Sequence, residues 1–231
     1  MAPKVLVVLT SEGGIAGTDK AGGWYLPEFA HPHAVLSSKG VAFEVASPKG
    51  GVAPLSPSSV RNFASDEICA SFRATQSALW EHTAPISSFI GRAAEFAAVF
   101  FPGGYGPMFD LATNADVSAL VSEFVAQGKV VAAVCHGPAA LANVVLPGGR
   151  HLLEGKEVTA FSNAEEDMVG MSEHMPFSLE DRLREAGAIF AKAEKPFAPF
   201  VVVQDGGRLI TGQNPLSAMR VGEDMAEAIG V

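Results

Sequence analysis

Cys135 and His136 are neighbours in the stretch Lys129-Val-Val-Ala-Ala-Val-Cys135-His136-Gly137-Pro138-Ala-Ala-Leu141. An apolar run of strand length meets a cysteine, and a helical pattern begins at once. A sharp strand-to-helix turn admits only small residues two positions either side of a nucleophile. Ala133 and Gly137 hold those places, a variant of the G-x-S-x-G arrangement. Such a turn would expose the thiol above the sheet. A helix N-terminus behind it would offer unpaired N–H groups and positive potential, which favour a thiolate and can bind an oxyanion. The chemistry expected is nucleophilic catalysis by Cys135, with His136 as acid or base once a carboxylate orients its ring. A free cysteine is more often buried and inert. Its position at the carboxyl end of a strand, where open parallel sheets place ligand crevices, argues for function. Cys69 has no such setting and reads as inert packing.

Other chemistry-bearing residues weigh less. His31 and His33 invite a metal, but residues two apart on a helix point to different sides. No third ligand stands at a customary spacing, so no metal is expected. Pro102-Gly103-Gly104 stops an apolar strand, and its glycines allow close backbone approach to a ligand. The loop from Thr10 to Gly23 is glycine-rich, yet it carries neither G-x-G-x-x-G nor G-K-[ST]. Three acids in a row, Glu165-Glu166-Asp167, read as a solvated helix start. Trp24, Phe72 and Trp80 read as packing rather than a cofactor box.

The elements that must position these residues follow from the pattern. Lys4 to Leu9 is a continuous apolar run, the mark of a strand buried on both faces of a parallel sheet. Trp24 to Ser38 reads as a helix ended by Gly40, and Val41 to Ala46 as a second strand. Ala97 to Phe101 is a third. Asn114 caps a helix whose Val117, Leu120, Val121, Phe124 and Val125 make one apolar stripe, closed by Gly128. Glu157 to Phe161 reads as another strand, and Ser178 to Gly187 as a capped helix. Phe200 to Val203 and Arg208 to Thr211 form a hairpin around Gln204–Gly207, and Asn214-Pro215 opens a terminal helix. Ser47 to Glu95 is too long for an ordinary crossover and is expected to be an inserted, cap-like segment.

One domain is expected from 231 residues. The formal charge of −9 argues against nucleic acid or an anionic membrane surface as partner. Two cysteines make neither a CxxC pair nor a disulfide framework, and Met1-Ala-Pro-Lys4 leads directly into a strand rather than a signal peptide. A cytoplasmic protein is expected.

The pieces Phe101-Pro-Gly-Gly104, Ala132-Ala-Val-Cys-His-Gly-Pro138, Phe161-Ser-Asn-Ala-Glu-Glu166 and Leu209-Ile-Thr-Gly-Gln-Asn-Pro215 stand in an order and spacing that resembles the ThiJ/PfpI superfamily. The likeness is to its branch of glutathione-independent glyoxalase III and heat-shock chaperone proteins. It implies a flavodoxin-like α/β sandwich, with a mostly parallel sheet and helices on both faces. It also implies a homodimer, no cofactor, and catalytic residues at Cys135, His136, Glu28 and Glu166. Glu28 matches the family's glutamate on the helix after the first strand. Glu166 matches its third acid, with Glu165 one residue away. Tyr105 departs from the branch, which commonly has His after Gly-Gly.

The activity implied is conversion of methylglyoxal or a related 2-oxoaldehyde to a 2-hydroxy acid through a Cys135 hemithioacetal, a lyase of the D-lactate dehydratase type. Gly103, Gly104 and His136 are the expected substrate- and oxyanion-binding positions. The alternatives are a stress-response holdase with a redox-sensing cysteine, and a cysteine hydrolase or protein deglycase. Class I glutaminases need a later H-x-E pair, which neither His151 nor His174 supplies.

Overall fold

The computed structural model describes residues 2–15 and 17–231. Met1, in the lead-in to the first strand, and Ala16, in the Thr10–Gly23 loop, lie outside the described residues. Strands β1 (Lys4–Val8), β2 (Ala42–Ser47), β3 (Ala84–Pro85), β4 (Ala98–Phe101), β5 (Val130–Val134), β8 (Val201–Gln204) and β9 (Leu209–Gly212) form one sheet in the order β3-β2-β1-β4-β5-β9-β8. Every pairing in it is parallel except β8 with β9, the expected hairpin. The two remaining strands, β6 (Glu157–Val158) and β7 (Ile189–Phe190), pair only with each other. The strand expected over Glu157 to Phe161 is therefore two residues long and outside the main sheet. Beyond it the chain turns to the site: the Thr159 N–H donates to Thr211 Oγ1, and the Phe161 N–H to the Cys135 carbonyl.

The helices are α1 (Leu26–Ser38), α2 (Pro57–Asn62), α3 (Glu67–Thr75), α4 (Ala78–Glu81), α5 (Pro107–Asp110), α6 (Ala115–Ala126), α7 (Asn163–Met168), α8 (Leu179–Glu185) and α9 (Ala218–Ala228). Alternate residues of the parallel strands feed two cores, as a sheet covered on both faces requires. Leu6, Val99, Val131 and Ala133 meet the α6 face, with Leu120 and Phe124. Val5, Val7, Ala132 and Val134 meet the other face, with Phe29 of α1 and Val221 of α9. Asn114 caps α6 as expected, its Oδ1 accepting from the Asp116 and Val117 N–H groups. Trp24, Phe72 and Trp80 pack together, with the Phe72 and Trp80 rings stacked 5.5 Å apart.

The chain order reverses between β1 and β4, so the crevice of an open parallel sheet falls at the carboxyl ends of the strands there. Gly103 and Gly104 follow β4, and Cys135 follows β5, on that edge. The segment 47–95 supplies α2, α3, α4, β3 and two single 3₁₀ turns rather than one compact unit. No helix among the described residues is long and apolar enough to cross a membrane.

Candidate active site

All five β5 residues are buried, and the chain then turns hard at Cys135, whose φ is +61°. An L-residue pays about 1–2 kcal/mol for that left-handed conformation. The surroundings hold it there, for the Cys135 N–H donates to the Gly212 carbonyl (2.9 Å) and its carbonyl accepts from the Phe161 N–H (2.9 Å). Gly137 completes the turn. A Cβ there would sit 2.0 Å from the Phe101 carbonyl oxygen, which no side chain survives. The elbow expected from the sequence is present.

Two expectations about it need correction. The helix after the elbow is a five-residue 3₁₀ turn, Gly137–Leu141, not an α-helix, so no long macrodipole points at the sulfur. The thiol is also not exposed: Cys135 is only 3% accessible, reached through a cavity rather than standing above the sheet. Burial raises its pKa well above the ordinary thiol value, the nearby Glu28 carboxyl raises it further, and the Gly104 N–H acts in the opposite direction.

Glu28 reaches the sulfur because the start of α1 is tied to the turn after β4. The Tyr25 N–H donates to the Gly103 carbonyl, which brings the first turn of α1 over the glycines. Glu28 Oε2 then accepts from the Gly103 N–H at 2.6 Å, and the carboxyl lies against the Cys135 thiol. Glu28 is fully buried, and burial lifts its pKa to about 8, opposed by the Cys135 and Gly103 contacts. Carboxyl and thiol occupy one dry pocket and cannot both hold a charge at low cost.

This contact removes Gly103 from the expected oxyanion donors, since its N–H is already committed to Glu28. Among the described residues the Gly104 and His136 N–H groups have no oxygen acceptor, and both border the sulfur's turn. Gly104 has φ +91°, and a Cβ there would lie 2.3 Å from the Gly23 carbonyl oxygen, so this close approach requires glycine.

On the other side of the thiol, His136 Nδ1 stands 3.3 Å from Cys135 Sγ, and His136 Nε2 stands 2.6 Å from Glu166 Oε2. A carboxylate oxygen at Nε2 selects the tautomer protonated there, which leaves Nδ1 as an acceptor facing the sulfur. Both side chains are buried, at 2% and 11% exposure. Of the acidic run at the start of α7, Glu165 and Glu166 are therefore not solvated, while Asp167 is exposed as expected. Glu166 meets the histidine. Glu165, fully buried, accepts from five donors: the Ser162 N–H and hydroxyl, the Phe197 N–H, Gln213 Nε2 and Asn214 Nδ2. The helix rotates successive side chains by about 100°, so the two acids serve different partners.

Cys135 and His136 line a cavity of about 730 Å³. Its walls include Tyr25, Arg61, Phe63, Tyr105, Phe161 and Phe197. Arg61 is from α2, and Phe63 lies just beyond that helix, so the 47–95 segment borders the site. The Tyr105 ring lies 5.1 Å from that of His136. Sequence reasoning missed the Glu165 hub and the wall from α2. Gln213-Asn214, inside one of the matching motifs, was the available signal for the hub. Nothing local marks Arg61.

Fold and site together define an α/β protein with a buried cysteine, histidine and two carboxyl groups at a strained elbow. The profile of the DJ-1/PfpI family matches residues 24–228, and the chain belongs to that family. Over 97% of its length it is 30% identical to Glyoxalase 3 of Candida albicans, covering 98% of that protein. It is 31% identical to the glutathione-independent glyoxalase HSP31 of Saccharomyces cerevisiae over 94% of each chain. The crystal structure of glyoxalase III from Candida albicans superposes with a TM-score of 0.86 at 29% identity, covering 98% of this chain and 97% of that one.

Proposed function

We propose that this protein is a glyoxalase III-type enzyme that converts methylglyoxal or a related 2-oxoaldehyde to a 2-hydroxy acid without glutathione. The observation that carries the reading is the continuous contact Glu28–Cys135–His136–Glu166 beside a cavity. Similarity to relatives named glyoxalase over nearly the whole chain supports it.

Cys135 Sγ attacks the aldehyde carbon and its proton passes to Glu28 or to His136 Nδ1. The carbonyl oxygen takes a proton and becomes the hydroxyl of a hemithioacetal. The same groups then remove the proton from that carbon, giving an enediol, and return a proton to the neighbouring carbon. What remains is a thioester of the 2-hydroxy acid. Water hydrolyses it, releasing the acid and restoring the thiol. The Gly104 and His136 N–H groups are placed to stabilise the oxyanions. Glu28, with its pKa lifted to about 8, is suited to give and take protons near neutrality. Glu166 orients the histidine. In this reading the enzyme is a lyase with Cys135 as nucleophile.

The 47–95 segment acts in this reading as a partial cap over the substrate. A homodimer follows from the resemblance, and a cytoplasmic location from the cysteine usage. Light scattering behind size exclusion checks the dimer, and a monomer at micromolar concentration removes it. The enzyme reading is tested with chelator-treated protein, methylglyoxal and no glutathione, scoring lactate. Lactate formation lost in Cys135→Ala is expected. No turnover by the wild type, together with suppressed aggregation of a client protein, would replace the enzyme with the holdase.

A further inference from the structure

Cys69 is buried, with a histidine and an aspartate beside it. His31 on α1 meets Asp66 and Cys69 at the start of α3. His31 Nε2 stands 2.9 Å from Asp66 Oδ2 and 3.9 Å from Cys69 Sγ, and the three donor atoms all lie within 4.8 Å of one another. One nitrogen of the imidazole faces both partners, so nitrogen, oxygen and sulfur converge on a single point. Tetrahedral zinc, with bonds of about 2.0–2.3 Å, sets its N and O ligands about 3.3 Å apart and its N and S ligands about 3.6 Å apart. The His31–Asp66 and His31–Cys69 spacings need adjustments of a few tenths of an ångström, and the Asp66 oxygen and Cys69 sulfur, within 4.8 Å of each other, must settle at about 3.5 Å.

The backbone already fixes two of the three ligands. Asp66 is the N-cap of α3, its Oδ1 accepting from the Cys69 N–H at 2.8 Å, which leaves Oδ2 directed at His31. The Asp66 side chain is 27% exposed and opens a path for a cation and for a water as fourth ligand. Burial and the Asp66 charge push the Cys69 thiol up to about 12, so it holds its proton until a cation replaces it. The sequence argument against a metal weighed only ligands near the histidine in the chain. Asp66 and Cys69 stand 35 and 38 residues on, within the inserted segment.

We propose that His31, Asp66 and Cys69 bind a zinc-class divalent cation that clamps α3 to α1, separately from the Cys135 site. On binding, the thiol proton leaves to solvent, Cys69 binds as thiolate, and His31 binds through Nε2. Imidazole and thiolate in a tetrahedral set favour zinc over magnesium or calcium. The clamp would hold the segment that lines the cavity onto the helix that carries Glu28.

The test loads chelator-treated protein with one equivalent of Co²⁺, whose tetrahedral thiolate complexes show intense visible bands and a sulfur-to-cobalt charge-transfer band. Wild type and Cys135→Ala should both show them, and Cys69→Ala and His31→Gln should lose them. Asp66→Asn keeps an oxygen for the helix cap and so supplies a folded variant. It should bind cobalt at least about tenfold more weakly. Zinc should raise the Tm of wild type and leave that of Cys69→Ala unmoved. Absence of the charge-transfer band in wild type, or a band that survives Cys69→Ala and vanishes in Cys135→Ala, overturns the proposal.

Discussion

Each of the two cysteines lies beside a histidine and an acid, and the histidines are used in opposite ways. At Cys135 the ring is a bridge: one nitrogen faces the sulfur at 3.3 Å and the other the Glu166 oxygen at 2.6 Å. A proton entering on one side can be compensated on the other, which is what acid–base chemistry asks of an imidazole. At Cys69 a single nitrogen faces both sulfur and oxygen, so the ring passes nothing along and the donors gather at one point. The backbones differ as well. Cys135 sits at φ +61° on a turn, whereas Cys69 lies within α3. A cysteine, a histidine and a carboxylate thus suit a relay in one place and a chelate in the other, and the geometry around the ring decides between them.

The contrast can be broken most directly by exchanging the sulfurs' importance. Cys135→Ala should abolish lactate formation, because no other group can form the hemithioacetal, while Cys69→Ala should leave turnover near the wild-type level. The reverse result would end the relay reading.

The acids come next. Glu165→Ala would leave the Gln213 and Asn214 amides, the Phe197 N–H and the Ser162 N–H without their shared acceptor. Urea unfolding should report a loss of about 3–5 kcal/mol. Asp66→Ala, which removes a helix cap at a partly exposed site, should cost only about 1 kcal/mol without added metal.

Glu28→Gln keeps the shape but loses the titrating group, and turnover should fall about a hundredfold. In wild type kcat/KM should rise with pH through about 8 as the Glu28 carboxylate forms, and the variant should lack that rise.

The same carboxyl also acts on stability. Glu28 holds its proton more tightly folded than unfolded, so the stability it contributes is present below about 4.5 and is lost as pH rises through about 8. Glu28→Gln should therefore melt about 5 °C higher than wild type at pH 8, and the difference should shrink toward pH 4. A gap that widens on acidification would contradict the buried, proton-holding carboxyl.

Much of the main sheet was legible because a short, mostly apolar run bounded by turn residues suits a strand of a covered parallel sheet. β3 and β7 were not, since two residues carry no period, and β6 is only the first two residues of the strand expected over Glu157 to Phe161. The elbow was legible from Ala133, Cys135 and Gly137 because steric limits act within a few residues. Glu28 came only from resemblance: as an isolated helical acid it reads as exposed, and nothing near it in sequence reveals the Gly103 N–H that holds it. Glu165 and Glu166 looked like a solvated pair because their partners lie on distant loops. His31, Asp66 and Cys69 were illegible together for the same reason. How α3 docks on α1 is a property of the packed chain, not of either helix.

The backward twist of the chain at Cys135 has a consequence for anyone evolving this protein in the laboratory. Glycine tolerates that conformation freely, and the hydrogen bonds that fix the turn involve only the residue's backbone. Variants selected for heat resistance alone should thus accumulate Cys135→Gly, exchanging the reactive sulfur for a relaxed turn. Only selection that also demands turnover would hold cysteine there. The thiol's persistence in a library is then a running record of whether its chemistry is being used.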